Sequence, residues 1–179
     1  MPSYVAFLRA INLGRTRKFP MAELRSCVEA AGFRDVETYI QTGNLRVSTS
    51  MRSADRVAAL LEEVFEADRG FAVPTVVLTP DELRQVHDDA HSLEPLVEGD
   101  VRRYVTFLRS PAPPDVAAEI AAIEAEGEAA RAIGRAVHVW VRDGYQSARI
   151  NNARIERRLG VATTRDLKVV TTLTQRWGG

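Results

Sequence analysis

Val36-Glu37-Thr38-Tyr39-Ile40-Gln41-Thr42-Gly43-Asn44-Leu45-Arg46-Val47-Ser48 is the stretch whose reading decides the fold. Val36 to Gln41 and Leu45 to Ser48 are β-rich runs, and Thr42-Gly43-Asn44 between them is a tight-turn signal, so the segment predicts a hairpin. On its N-terminal side the spacing predicts a helix over about Met21 to Ala31, stopped by Gly32. On its C-terminal side Ser53 can cap a helix running to about Asp68, with Val57, Leu60, Leu61, Val64 and Phe65 as its apolar stripe. Further outward lie two more strand-like runs, Tyr4 to Arg9 and Val73 to Leu78, the first followed by a loop over Asn12 to Pro20. Strand, helix, strand, strand, helix, strand is the order of a split βαβ, or ferredoxin-like, half: an antiparallel four-stranded sheet covered on one face by two helices.

The pattern recurs. After a linking helix from Thr79-Pro80-Asp81 to about His91 and a polar stretch ending near Asp100, Arg103 to Arg109 reads as a strand and Pro114 to Glu126 as a helix. Ala130 to Ile133 and Ala136 to Arg142 read as a hairpin around Gly134-Arg135, and a helix follows with Ser147 at its start and Gly160 at its end. The expected fold is therefore α+β, two ferredoxin-like halves: residues 1–79, a linker over 80–100, and a degenerate second half over 101–179. Degenerate here means that the closing strand is expected to be missing or replaced by the helix after Thr164.

In each right-handed βαβ unit the first two strands run parallel, so their C-terminal ends share one edge of the sheet. That places Arg9, Asn12, Gly14 and Arg15 beside Gln41, Thr42, Gly43 and Asn44, with Arg17 and Lys18 on the same loop. Amides, a hydroxyl, guanidinium donors and glycines that let a ligand approach the backbone suit an anion such as phosphate or carboxylate. The edge offers no carboxylate pair for acid–base work. The bland alternative stands beside this reading: Gly43 and Asn44 satisfy a hairpin turn, and Asn12 and Gly14 shape a loop.

Those residues also carry a likeness. Phe7-Leu8-Arg9-Ala10-Ile11-Asn12-Leu13-Gly14 followed by Met21 and Leu24, and then Thr38-Tyr39-Ile40-Gln41-Thr42-Gly43-Asn44, resemble the paired signatures of a mostly bacterial family catalogued as domain of unknown function sixteen ninety-seven. Gly144-Tyr145-Gln146-Ser147 and Leu159-Gly160-Val161-Ala162-Thr163-Thr164-Arg165 resemble its later segments, which adds Arg165 to the candidate residues. The resemblance implies a two-part ferredoxin-like α+β fold and no established activity. Ala10 stands where the family commonly has glycine, and Asp166-Leu167-Lys168-Val169 replaces its usual Asn-Trp-Asn-Thr run. Here Thr163 with Asp166 reads instead as a cap of the last helix, and Leu167, Val170 and Leu173 as its buried stripe.

Composition narrows the classes of function. A chain of 179 residues, 45% hydrophobic and 27% charged, can bury a core as one domain or two. Its longest apolar runs are strand-sized, no basic leader precedes the first strand, and the single cysteine forbids an internal disulfide, so a cytoplasmic protein without a membrane span is expected. Charge sums to zero but is uneven. Residues 1–22 hold Arg9, Arg15, Arg17 and Lys18 with no acid, and residues 149–179 hold seven basic against two acidic residues. Such asymmetry marks either an anion-binding surface or ordinary solvated helices.

Other side chains are weaker candidates. Cys27 falls at helical spacing with Leu24, Val28 and Ala31 and reads as a small core hydrophobe. His87 and His91, four apart beside Asp88, have metal-ligand spacing but no third ligand, and His138 alternates with Trp140 on the strand face opposite Val137, Val139 and Val141. Pro2, if Met1 is removed, would be a secondary amine whose pKa an apolar setting could lower. Gly178-Gly179 reads as a frayed end. No glycine pattern for a dinucleotide, no phosphate-cradling loop ending in Lys-Ser/Thr and no nucleophile elbow occurs, so no cofactor is expected. The leading expectation is a binding module for a small anionic ligand. An enzyme of undefined class at the same edge or at Pro2, a nucleic-acid binder, and a monomeric or small homo-oligomeric structural protein are the alternatives. Tyr4 and Phe7, the aromatics of the first strand, fall on opposite faces, a poor stacking platform that disfavours nucleic acid.

Overall fold

The computed structural model describes residues 1–179. It contains two four-stranded antiparallel sheets and six α-helices. In the first half the order is β1 (Ser3–Leu8), α1 (Met21–Ala30), β2 (Arg34–Tyr39), β3 (Asn44–Ser48), α2 (Ala54–Arg69), β4 (Thr75–Leu78) and α3 (Pro80–Ser92). The strands lie in the order β2-β3-β1-β4, which is the split βαβ arrangement.

Every second side chain of β1 faces the helices. Tyr4, Ala6 and Leu8 of β1 stand in register with Val47, Leu45 and the turn before β3, and Ala6 also faces Val77 of β4. These side chains pack with Leu24 and Val28 of α1 and with Val57, Leu61 and Phe65 of α2 in one core, where the rings of Phe19 and Phe65 meet edge to face at 5.4 Å. Helix α2 begins as its sequence dictates: the Ser53 hydroxyl accepts from the Arg56 amide at 3.3 Å, and Gly70 ends it at φ +74°. Helix α3 starts in a reciprocal box, the Glu82 amide donating to the Thr79 hydroxyl at 3.2 Å and the Thr79 amide to the Glu82 carboxylate at 2.8 Å.

The second half repeats the plan as β5 (Arg102–Leu108), α4 (Pro114–Ala121), β6 (Glu128–Ile133), β7 (Ala136–Val141), α5 (Asn152–Leu159), β8 (Ala162–Asp166) and α6 (Leu167–Trp177), with strand order β6-β7-β5-β8. The expected loss of the closing strand is thus corrected. Ala162 to Asp166 pair with Leu108 to Tyr104, and this strand was hidden because a threonine pair and two charges interrupt any apolar alternation. Asp166 still helps to start α6, its carboxylate accepting from the Lys168 amide at 2.8 Å, but Thr163 is a strand residue. A second correction concerns α5: it is capped by Asn151, whose side chain accepts from the Arg154 amide at 3.1 Å, while Ser147 lies in a separate 3-10 turn over Tyr145–Ser147. Helix α4 stops at Ala121, five residues short of the expected end, ahead of a bridge between Ala125 and Glu128.

Residues 1–83 with 176–179 form one compact unit, and residues 84–175 form the other. Trp177 is buried in the first unit and its indole donates to Glu37 at 3.1 Å, so the chain is anchored almost to its last residue rather than frayed. No helix is long and apolar enough to cross a membrane.

Candidate functional site

β1 and β2 are both antiparallel to β3, hence parallel to each other, and their C-terminal ends open onto the same edge. The loop Arg9–Pro20 and the turn Ile40–Gly43 are neighbours there. The Leu8 amide donates to the Gly43 carbonyl at 2.8 Å, and the Asn12 side-chain amide donates to the Gln41 carbonyl at 2.9 Å.

Asn12 is the clasp of the loop. Its Nδ2 also donates to the Phe19 carbonyl at 2.9 Å, its Oδ1 accepts from the Phe19 amide at 2.8 Å, and its own amide donates to the Arg17 carbonyl at 3.0 Å. Arg17 is a second clasp: Nε donates to the Ala10 carbonyl at 2.7 Å, Nη2 to the Ala72 carbonyl at 2.6 Å, and the guanidinium stacks 4.6 Å above the Phe71 ring. Asn44 is fully buried, its Nδ2 donating to the Tyr39 carbonyl and the Thr42 hydroxyl, both at 3.0 Å. Asn12, Arg17 and Asn44 therefore fix backbone. Arg15 and Lys18 differ: both are exposed and stand in no ion pair. Gly14, Gln41 and Thr42 are also exposed, Arg9 is half-buried, and Leu13 projects 66% exposed.

The backbone of this edge is strained. Ala10, Asn12, Arg17 and Ile40 all have φ between +49° and +56°, and only Asp35 elsewhere in the chain shares that trait among non-glycine residues. Asparagine tolerates the left-handed region, but alanine, arginine and above all β-branched isoleucine pay roughly 1–2 kcal/mol each for it. Gly43, at φ +80°, is held to glycine for a further reason: a Cβ there would stand 2.8 Å from Leu8 Cβ and 2.9 Å from Ile11 Cδ1. Ile40 was not legible as a site residue, because β-branching reads as strand.

The second half supplies an internal control. The Leu108 amide donates to the Arg135 carbonyl as Leu8 does to Gly43, and Arg109 begins the connection to α4 as Arg9 begins that to α1. That connection is only Arg109–Pro113, whereas Arg9–Pro20 is more than twice as long. The scaffold closes with the short version, so the long loop is not required by the topology.

Arg165 belongs to the second unit, where burial pulls its pKa down to about 10 and its Nη1 donates to the Thr163 hydroxyl at 2.8 Å and the Thr164 carbonyl at 2.9 Å. The rings of His87 and His91 lie 4.2 Å apart, one Nδ1 beside Asp88 and the other beside the His87 carbonyl. Burial, with the nearby Asp68 carboxylate, pushes the Cys27 thiol up to about 11, so it is a poor nucleophile at neutral pH. Pro2 is exposed and lacks the apolar setting that amine chemistry would need. A hydroxyl network escaped sequence reading because its members are far apart in the chain. Thr164 Oγ1 lies 2.8 Å from Thr106 Oγ1 and 2.9 Å from the Tyr145 hydroxyl, and contacts Asn152 Oδ1 at 2.9 Å.

His138 is buried, on the face opposite Val137, Val139 and Val141, and neither ring nitrogen has a hydrogen-bond partner. Burial is the main cause that lowers its pKa to about 4; Arg103 reinforces the shift and Asp89 opposes it. An unfolded chain, with an ordinary histidine pKa near 6.5, binds the proton first, so stability is full above about pH 6.5 and falls toward pH 4. This histidine alone is expected to cost about 2 kcal/mol between pH 7 and pH 5. Urea unfolding at both pH values checks it, with His138→Phe flattening the dependence.

The geometry defines a duplicated α+β protein with one elaborated sheet edge. The chain belongs to the family described as protein of unknown function (DUF1697), whose model matches residues 1–138. Among solved structures it is similar to the conserved bacterial protein SP0830 of Streptococcus pneumoniae, with a TM-score of 0.73 and 21% identity over 100% of this chain and 99% of that one. At that identity the likeness establishes the fold. No curated protein matches.

Proposed function

We propose that this chain is a cytoplasmic binding module whose ligand is a small anion carrying phosphate or carboxylate, held at the edge formed by the Arg9–Pro20 loop and the Ile40–Gly43 turn. One observation carries the reading: four of the five non-glycine residues with left-handed backbone gather at this edge. Strain of that kind persists only where surrounding contacts over-determine it, and it concentrates at ligand clamps. The clasps of Asn12 and Arg17 are such contacts.

The roles divide accordingly. Arg15 and Lys18 supply the charge, and the exposed Gln41 amide and Thr42 hydroxyl supply neutral hydrogen bonds. Asn12, Arg17, Gly43 and Asn44 hold the shape, and Gly14 keeps the approach open, with nothing within 4 Å of where its Cβ would be. The lack of any acid in residues 1–22 leaves the local charge uncancelled by near neighbours in sequence.

Calorimetric titration with inorganic pyrophosphate tests the reading. Arg15→Glu combined with Lys18→Glu is expected to weaken binding at least tenfold with the melting temperature unchanged, since exposed charges contribute little to folding. Equal affinity in the variant would remove the proposal. A single-stranded oligonucleotide run in parallel, losing about one log unit of affinity per log of salt for each phosphate engaged, would point to nucleic acid instead.

A further inference from the structure

The helix layer of the second unit is thin: α4 and α5 have eight residues each, against ten and sixteen in α1 and α2. Between α4 and α5 lies a cleft of about 240 Å³, lined by Ile120, Ile123, Ile150 and Ile155 together with Arg154 and Arg158. Ile120, Ile150 and Ile155 are buried core residues, and Ile123 is half-buried. Arg154 and Arg158 are four apart on α5 and so share one side of it. Glu119 of α4 also lines the cleft and forms an ion pair with Arg158, while the exposed Arg154 guanidinium stands in none. Residues 149–158 hold four arginines against one acid, Glu156.

We propose that this cleft binds an amphiphilic anion, a medium-chain alkyl carboxylate, with its chain against the isoleucines and its carboxylate on Arg154 and Arg158. An apolar recess alone would accept any hydrocarbon, and arginines alone any anion; the two together select a molecule that is apolar along its length and anionic at one end. A cleft of about 240 Å³ is smaller than a drug-sized site and suits a short alkyl chain. Glu119 is the counter-charge of the empty cleft, and the incoming carboxylate competes with it for Arg158.

The test is an octanoate titration of the whole protein below the micelle concentration, read on isoleucine δ-methyl NMR signals and by calorimetry. Saturable shifts are expected at Ile120, Ile123, Ile150 and Ile155, with affinity rising about fourfold per methylene from hexanoate to octanoate. Arg154→Glu with Arg158→Glu, both at solvent-facing positions, is expected to weaken octanoate at least tenfold, and Glu119→Gln to tighten it several-fold by freeing Arg158. Ile123→Trp fills the opening and is expected to abolish binding. Octanol binding as tightly as octanoate, affinity unmoved by the charge variants in protein of normal melting temperature, or shifts absent from these four methyl groups would each overturn the proposal.

Discussion

Replacing Gly43 with alanine is expected to destabilise the protein by about 4 kcal/mol, a fall of roughly 10 °C in melting temperature for a chain of this size. Two terms add. At φ +80° any side chain is strained by about 1–2 kcal/mol. The new Cβ would also stand 2.8 Å from Leu8 Cβ, an atom tied to a central strand, and 2.9 Å from Ile11 Cδ1. Neither can retreat without moving β1 or the loop, because Leu8 and Ile11 are both core residues. Gly14→Ala separates the terms: at φ +63° with no atom within 4 Å of the added carbon, it carries the strain alone and is expected to cost about 1 kcal/mol. Equal losses for the two variants would mean that the turn and the loop do not press on each other as described.

Removing the Asn12 clasp is expected to cost about 3 kcal/mol in Asn12→Ala, measured by urea unfolding. The side chain makes three hydrogen bonds to main chain at 2.8 to 2.9 Å, and its loss leaves the Phe19 amide and carbonyl without that partner in a partly buried setting and the Gln41 carbonyl without it in an exposed one. Left-handed backbone adds to the penalty for alanine, so Asn12→Gly is expected to be the milder change by up to about 1 kcal/mol. Asn12→Asp keeps the acceptor for the Phe19 amide but sets a carboxylate against two carbonyl oxygens, and is expected to be no better than alanine. If the clasp holds the loop for ligand, each of these variants also weakens pyrophosphate binding; a full loss of stability with unchanged affinity would show that loop shape and binding are unrelated.

The skeleton of the fold was legible because each element carried an independent cue. Thr42-Gly43-Asn44 marked the hairpin, Ser53 marked the start of α2, and the strand-sized apolar run Tyr4 to Leu8 gave the strand that both neighbours pair with. What stayed hidden was held by contacts distant in sequence. β8 is polar by composition and exists because β5 offers it a ladder, and α5 is capped by Asn151 because the 3-10 turn consumes the residues around Ser147. At the edge of the first sheet, parallel β1 and β2 predicted which segments would meet. The division of labour among them was not readable: asparagine and arginine look alike whether they face a ligand or a carbonyl oxygen. Arg17 reads as a free cation by type, yet it is committed to Ala10, Ala72 and the Phe71 ring.

Backbone amide NMR during a pyrophosphate titration examines the anion-binding account most directly. It predicts saturable shifts confined to Leu13–Lys18 and Gln41–Gly43, which vanish when Arg15 and Lys18 carry reversed charge. Shifts scattered over other basic residues, or a strictly linear response to added pyrophosphate at this edge, would contradict it.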